Sequence, residues 1–280
     1  MQTLSTYFFS DYRLQVQTTW FKRLLYCFLL VECCYYFAYF DLFFGENSIV
    51  FVSPKTIVFF RSLAFLLYSS RSAGLSFCFI SLVFVLSLLN LFSRRFHFIS
   101  DLLLWFLVVN IHHRIYPALT GGNNLLNQLL FFNWFLSASF IKQPGWKNEL
   151  RICLHNLGLS AIMVQVCIVY FLSALAKLGD PQWLSGTAII AISQVQHFSL
   201  FSFLSYSKPL APVFIFFNYF VLFYQLSFPL MIWVKKIKKP LLLIGIGMHL
   251  YIAFVMGLVS FGFIMILAYV LFWPSKPEEL

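Results

Sequence analysis

Residues 165–186 read QVCIVYFLSALAKLGDPQWLSG, and this stretch decides the fold. It opens as an uninterrupted apolar helix and reaches Lys177 near one end of a bilayer-length span. It then breaks at Gly179, Asp180 and Pro181, and recovers with Trp183 and Gly186. A cation at that depth costs free energy unless it snorkels to the headgroups or meets polar partners. Tyr170, Ser173 and Lys177 fall at i, i+3 and i+7, so one helical stripe carries a phenol, a hydroxyl and an amine.

The rest of the chain is built of similar apolar runs. Of 280 residues, 61% are hydrophobic and only 10% charged, more apolar surface than a soluble domain of this length can hide. The expectation is an all-α, polytopic membrane helix bundle of about 7–8 crossings plus interfacial or re-entrant helices. It forms one domain over residues 1–280, with almost no length left for a soluble domain. The net charge of +10 would suggest nucleic acid in a soluble protein. Here the cations sit in short loops between apolar runs, where they act as topology determinants. The lipid bilayer is therefore the expected partner, and nucleic acid is not. Six cysteines fall within or at the ends of apolar stretches, and none forms a CxxC or a zinc spacing. The N-terminus shows no short apolar region followed by a small-residue cleavage site, so the first apolar run is expected to be retained.

In chain order, residues 1–23 read as a polar, aromatic and basic lead-in, and residues 24–44 as the first span. Residues 56–68, interrupted by Arg61, are too short for a crossing and read as an interfacial or half-inserted helix. Further spans are expected at 74–92, 101–117, 123–141, 152–177 and 213–234. Residues 187–211 alternate apolar side chains with Ser, Gln and His197, which suggests surface or re-entrant helix. The basic run KKIKK, residues 235–239, precedes an apolar stretch over 240–273. That stretch exceeds one crossing at about 1.5 Å per residue across about 30 Å. Gly257, Ser260 and Gly262 in its middle favour a turn between two helices, with one long tilted helix as the alternative.

With a cytoplasmic N-terminus, the short loops carrying Arg13, Lys22 and Arg23, Arg94 and Arg95, Lys142, Lys147 and Arg151, and Lys235–Lys239 all land inside. Residues 110–124 and 177–183 then share the outer surface.

Each candidate for chemistry has a structural reading beside it. A desolvated lysine can serve as a base near neutral pH, so Lys177 is a candidate catalytic residue. Its alternative is a snorkelling lysine paired with Asp180. His249 lies about 15 Å into its helix from Lys239. It either bonds a neighbouring helix or joins the catalytic site. Gln165 and Gln225 are interhelical glue or pocket lining. Asn123 and Asn124 open the fourth span, where an N-cap role accounts for them cheaply. His112, His113 and Arg114 fit either an anionic headgroup or a solvated outer loop. No histidine pair has a metal-ligand spacing on one helix, so no metal is expected.

Several ordered motifs resemble one family. Gln165-x3-Val169-Tyr170-Phe171-x5-Lys177-Leu178 is followed by Trp183-x2-Gly186. Upstream lies Gly121-Gly122-Asn123-Asn124-Leu125-Leu126, and downstream Gln225-x2-Phe228-Pro229, His249, Gly257-x3-Phe261 and Leu271-Phe272. The set, over residues 20–273, is similar to the HTTM (horizontally transferred transmembrane) family, which includes the membrane core of vitamin K-dependent gamma-glutamyl carboxylase. The resemblance implies a lysine base at Lys177 on the exoplasmic side. In the carboxylase the corresponding lysine deprotonates a reduced quinone, vitamin K hydroquinone, whose oxygenation drives carboxylation of glutamate in a peptide. His249 would line the same pocket, along with Asn123, Asn124, Gln165, Tyr170, Trp183 and Gln225. The sequence departs from the carboxylase at Asn123, about where that enzyme has a functional histidine, and at Gln225, where relatives commonly place an acid. The large exoplasmic domain is not expected.

Two readings of function follow. One is a quinone- or peptide-modifying membrane enzyme acting through Lys177. The other is a non-carboxylating maturation or export factor for a secreted peptide, working with partner membrane proteins. The latter resembles the HTTM protein that matures a sporulation-delaying peptide toxin in bacilli. A structural subunit holding lipid is the third option. Either function places the chain in a cell membrane, a bacterial cytoplasmic membrane on the second resemblance. The topology is checked by labelling single cysteines from outside sealed cells. Gln182→Cys is expected to react and Ile237→Cys to stay protected, and the reverse pattern would overturn the orientation.

Overall fold

The computed structural model describes residues 4–45, 48, 50, 72–93, 97–142, 144–194 and 211–274. Among them every regular element is helical. The chain divides into two compact units, Met1–Leu159 and Ser160–Leu280.

The first unit holds α1 (Leu4–Phe9), α2 (Gln15–Ala38), α3 (Phe40–Phe44), α4 (Ala73–Phe92), α5 (His97–Arg114), α6 (Gly121–Asn133) and the first part of α7 (Trp146–Leu178). Here α2 packs on α4, α4 on α5, and α5 on α6. Ser72 caps α4 by accepting the Leu75 N–H at 3.2 Å, satisfying a donor that the first helical turn leaves free. The second unit holds the rest of α7, then α8 (Pro181–Leu184), α9 (Ala188–Gln194), α10 (Ala211–Met231), α11 (Lys235–Phe254) and α12 (Val259–Tyr269). A 3-10 turn, Val270–Phe272, follows α12. In this unit α10 packs on α9 and α11, and α11 also packs on α12.

Polar side chains turn inward among apolar ones, and the outer faces are apolar. On α4 the buried face includes Ser76, Ser87 and Asn90, while Phe77, Leu82, Val85, Leu89 and Phe92 are exposed. On α10 the buried residues are Asn218, Leu222, Tyr224 and Phe228, and Phe216, Phe223 and Leu230 point away. Such a distribution is the reverse of a soluble fold and fits hydrocarbon as the surrounding medium. Four described helices, α4, α7, α10 and α11, are long and apolar enough to cross a bilayer. The protein is an all-α, multi-pass integral membrane protein.

Several boundaries differ from the sequence expectation. The lead-in over residues 1–23 is helical over Leu4–Phe9 and again from Gln15, and α7 starts at Trp146 within the expected loop. The run 235–239 forms the start of α11. The expected fourth span, 123–141, is a 13-residue helix. At about 1.5 Å per residue it spans roughly 20 Å, short of a crossing. The stretch 240–273 does split in two, because Gly257 adopts φ 72°, a left-handed conformation closed to most side chains. The interfacial helix expected over 56–68, Arg94 and Arg95, and the larger part of the amphipathic stretch 187–211 lie outside the described residues.

Lys22, read from sequence as a loop cation, is buried. Its ammonium reaches Asp101 Oδ2 at 2.8 Å, Asn133 Oδ1 at 3.1 Å and the carbonyls of Leu136 and Asn133 at 3.2 and 3.3 Å. The two charged side chains are 5% and 1% exposed. Asp101 Oδ1 accepts from Tyr26 Oη at 2.7 Å and Asn90 Nδ2 at 3.2 Å, so α2, α4 and α5 meet at one carboxylate. Removing one charge from such a pair strands the other in a low-dielectric interior. Asp101→Ala is expected to cost about 3–5 kcal/mol, read as a lowered midpoint in denaturant unfolding of the detergent-solubilised protein. Lys22→Met combined with Asp101→Leu is expected to recover most of that loss.

Candidate functional site

In the second unit, four ionisable side chains from α7, α10, α11 and α12 meet away from solvent. Tyr170 Oη lies 2.5 Å from His249 Nε2 and also bonds Tyr269 Oη. Tyr269 Oη lies 3.2 Å from Tyr224 Oη, which donates to the Leu241 carbonyl at 3.0 Å. One ordering uses every bond once: His249 Nε2–H donates to Tyr170, Tyr170 to Tyr269, Tyr269 to Tyr224, and Tyr224 to the carbonyl. The imidazole Nδ1 is then a bare acceptor, and it has no partner among the described residues. Such a chain can pass a hydrogen-bond polarity, or a proton, between helices without bulk water. Phe228 closes it from one side, its ring centroid 4.2 Å from that of Tyr170.

The cluster requires a glycine. A Cβ at Gly245 would land against the hydroxyls of Tyr224 and Tyr269 and 2.7 Å from Tyr269 Cε2, so α11 can approach the phenols only where it lacks a side chain. Two residues on, a Cβ at Gly247 would meet nothing within 4 Å. Gly245→Ala is accordingly expected to lower stability by about 1–3 kcal/mol through overpacking, while Gly247→Ala is neutral or mildly stabilising. Thermal unfolding of the two variants in one detergent checks the contrast.

Lys177 lies two turns further along α7 than Tyr170, about 10 Å of helix rise. Its ammonium donates to the Ser173 carbonyl and Oγ, both at 3.4 Å, and stands 5.1 Å from the Trp183 ring centroid. The pairing with Asp180 does not form. Asp180 instead caps the short α8 turn by accepting the Gln182 N–H at 2.8 Å, with Pro181 in the first turn. Trp183 is held by its carbonyl, which accepts from Asn218 Nδ2 on α10 at 2.8 Å. A cation over an indole face at a helix end is attracted by the ring quadrupole and keeps its protons free of a carboxylate.

The other residues singled out from sequence divide between the units. His249 and Tyr170 are together, as described. Gln225 on α10 is half-buried, and its Oε1 has no hydrogen-bond partner among the described residues. Gln165 is half-buried on α7, one and a half turns before Tyr170. Asn123 belongs to the first unit and is not an N-cap. It is the third residue of α6, and its Oδ1 accepts from the N–H of Thr120 at 3.0 Å and from its Oγ1 at 2.9 Å. Its Nδ2 donates to Glu32 at 3.1 Å, so the whole amide is committed to structure. Asn124, one residue on, turns outward and is exposed. The solvated-loop reading of residues 112–114 is overturned at two of the three positions. His112 and Arg114 are buried, and Arg114 donates to the Val50 carbonyl at 2.9 Å.

Sequence reasoning missed Tyr224 and Tyr269. Among 37 phenylalanines and 14 tyrosines neither stands out by position. The available signal was the G-x-G of residues 245–247 inside an apolar helix, which marks a close approach.

Comparison with known proteins agrees with this architecture. A model of the HTTM domain matches residues 129–276, just over half of the chain and all of the second unit's described helices. The uncharacterized protein YitO of Bacillus subtilis (strain 168) is 32% identical over 108 residues, 37% of this chain and 35% of that protein. The similarity thus spans about a third of that relative's length. No solved structure matches the chain. The match over residues 129–276 places this chain in the HTTM family.

Proposed function

We propose that this chain is a membrane-embedded enzyme of carboxylase-like design, in which Lys177 accepts a proton from an acidic, membrane-dissolved substrate such as a reduced quinone. The observation that carries the reading is the setting of the lysine. Its amine faces Ser173 and the Trp183 indole and pairs with no carboxylate among the described residues, so no ion pair locks it as an ammonium. A planar aromatic substrate could stack on the indole within reach of the amine. The buried chain from His249 to Tyr224 lies two turns deeper and would hold α7 in register with α10, α11 and α12. The site would act at the exoplasmic face of a bacterial cytoplasmic membrane.

A second reading is a non-carboxylating maturation or export factor for a secreted peptide, working with partner membrane proteins. It is favoured by Asn123, whose amide is consumed by Thr120 and Glu32 at about the place where the resembled carboxylase uses a histidine.

Oxygen uptake by the purified chain in lipid nanodiscs, supplied with vitamin K hydroquinone, separates the two. The enzyme reading expects uptake that Lys177→Ala abolishes while the unfolding midpoint stays unchanged, because a lysine at a helix end contributes little stability. Undiminished uptake in a folded Lys177→Ala would reject the catalytic role. No uptake in the wild type, with a secreted peptide left unprocessed in cells lacking the chain, would favour the maturation factor.

A further inference from the structure

Glu32 on α2 and His112 on α5 meet in the first unit, in a cluster that the reading of Lys177 does not use. Glu32 Oε1 accepts from Tyr36 Oη and from Asn123 Nδ2, each at 3.1 Å. His112 Nε2 stands 3.5 Å from the same oxygen, with the imidazole 1% and the carboxylate 9% exposed. On its far side, His112 Nδ1 lies 2.7 Å from Asn127 Oδ1. An amide oxygen only accepts, so Nδ1 is the ring nitrogen that carries hydrogen. In a neutral imidazole Nε2 is then a lone pair. It faces the carboxylate and has no hydrogen-bond partner among the described residues. Two acceptors turned toward each other out of water repel, and Nε2 is left without a donor although Glu32 Oε1 has two. An ionised carboxylate in this position also carries the cost of charge in a membrane interior. One added proton ends the repulsion in either place: on Glu32 it is donated to Nε2 and neutralises the carboxylate, and on the ring it is donated to the carboxylate and pairs its charge.

We infer that Glu32 and His112 form a proton-binding site that holds one proton between them in the native protein. The remaining ionisable groups on the helices packed here do not supply it. Tyr36 already donates its hydroxyl hydrogen to Glu32, and Cys33 turns toward the Ile80 carbonyl of α4. Beyond His112, α5 carries His113 and Arg114, and the Arg114 guanidinium donates to Val50 and Ser48. The groups facing the dyad from α6 are the amides of Asn123 and Asn127. The site lies within about two turns of the ends of α2 and α5, a short path for proton exchange with water.

The test is nitrogen-15 NMR of histidine-labelled full-length protein in lipid nanodiscs near neutral pH. The His112 signals are assigned with His112→Gln, and isotope-edited infrared spectra report the glutamate carboxyls. The expected wild-type result is a single dyad proton, seen either as a doubly protonated His112 ring or as a protonated Glu32 carboxyl. In Glu32→Gln the new amide N–H can donate to Nε2. The ring is therefore expected to become neutral and protonated at Nδ1 alone, and the protonated-carboxyl band, where present, to vanish. A wild-type ring that is neutral and protonated only at Nε2 would overturn the inference, since the Asn127 amide would then be reversed and Glu32 an ordinary carboxylate. So would a bare Nε2 beside an ionised Glu32. The wild-type spectra decide the matter even where a variant fails to fold.

Discussion

Every polar side chain inside this molecule is surrounded by a medium that offers it nothing. In water an unpaired hydroxyl or amide is solvated, but between apolar helices in a bilayer it stays unsatisfied at a cost of order kcal/mol. The helices therefore turn their few polar groups toward each other and leave apolar side chains on their outer faces, as α4 and α10 do with Phe77, Leu89, Phe216 and Leu230. Because lipid tails are as apolar as leucine, burial of leucine supplies little force between helices, and close packing with interhelical hydrogen bonds takes over. The Lys22–Asp101 centre, the Glu32–His112 dyad and the phenol chain at His249 are three solutions to that requirement.

The three differ in what is left over. At Lys22 the ammonium and carboxylate are surrounded by acceptors and donors of matching kind, and only Asn133 Nδ2 lacks a partner among the described residues. At Glu32 the heavy atoms are in place but lack one hydrogen. At His249 the chain ends in a bare Nδ1, and Gln225 Oε1 also lacks a partner. Incomplete satisfaction inside a membrane is a mark of function as well as of cost. Lys177 stands apart from all three, half-buried, with two long bonds to its own helix turn and an indole beneath it.

The membrane class and the longest helices were legible from sequence, because a run such as 74–92 has no other stable environment, and α4 begins within one residue of it. The split near Gly257 was legible for a related reason, since a stretch longer than the bilayer must turn where a glycine lets it. What could not be read was pairing at a distance. A lysine 79 positions from its aspartate looks like a topology signal, and nothing local to Lys22 announces Asp101. The same holds for Glu32, a lone acid in an apolar helix, and for Asn123, whose engagement with Glu32 spans 91 positions. At the candidate site, the i, i+7 stripe put Tyr170 and Lys177 on one helix, as α7 does, while His249 stands in the last two turns of α11. Tyr224 and Tyr269 complete the cluster only because α10 and α12 fold onto α11 around Gly245.

The fold depends on helices whose outer faces meet hydrocarbon and whose inner faces meet one another. Quenching of a fluorophore at single engineered cysteines on α10 by lipids brominated along their acyl chains tests this directly. Strong quenching is predicted at Phe216, Phe223 and Leu230, and little at Asn218 or Leu222. Equal quenching around the helix, or the opposite pattern, would contradict it.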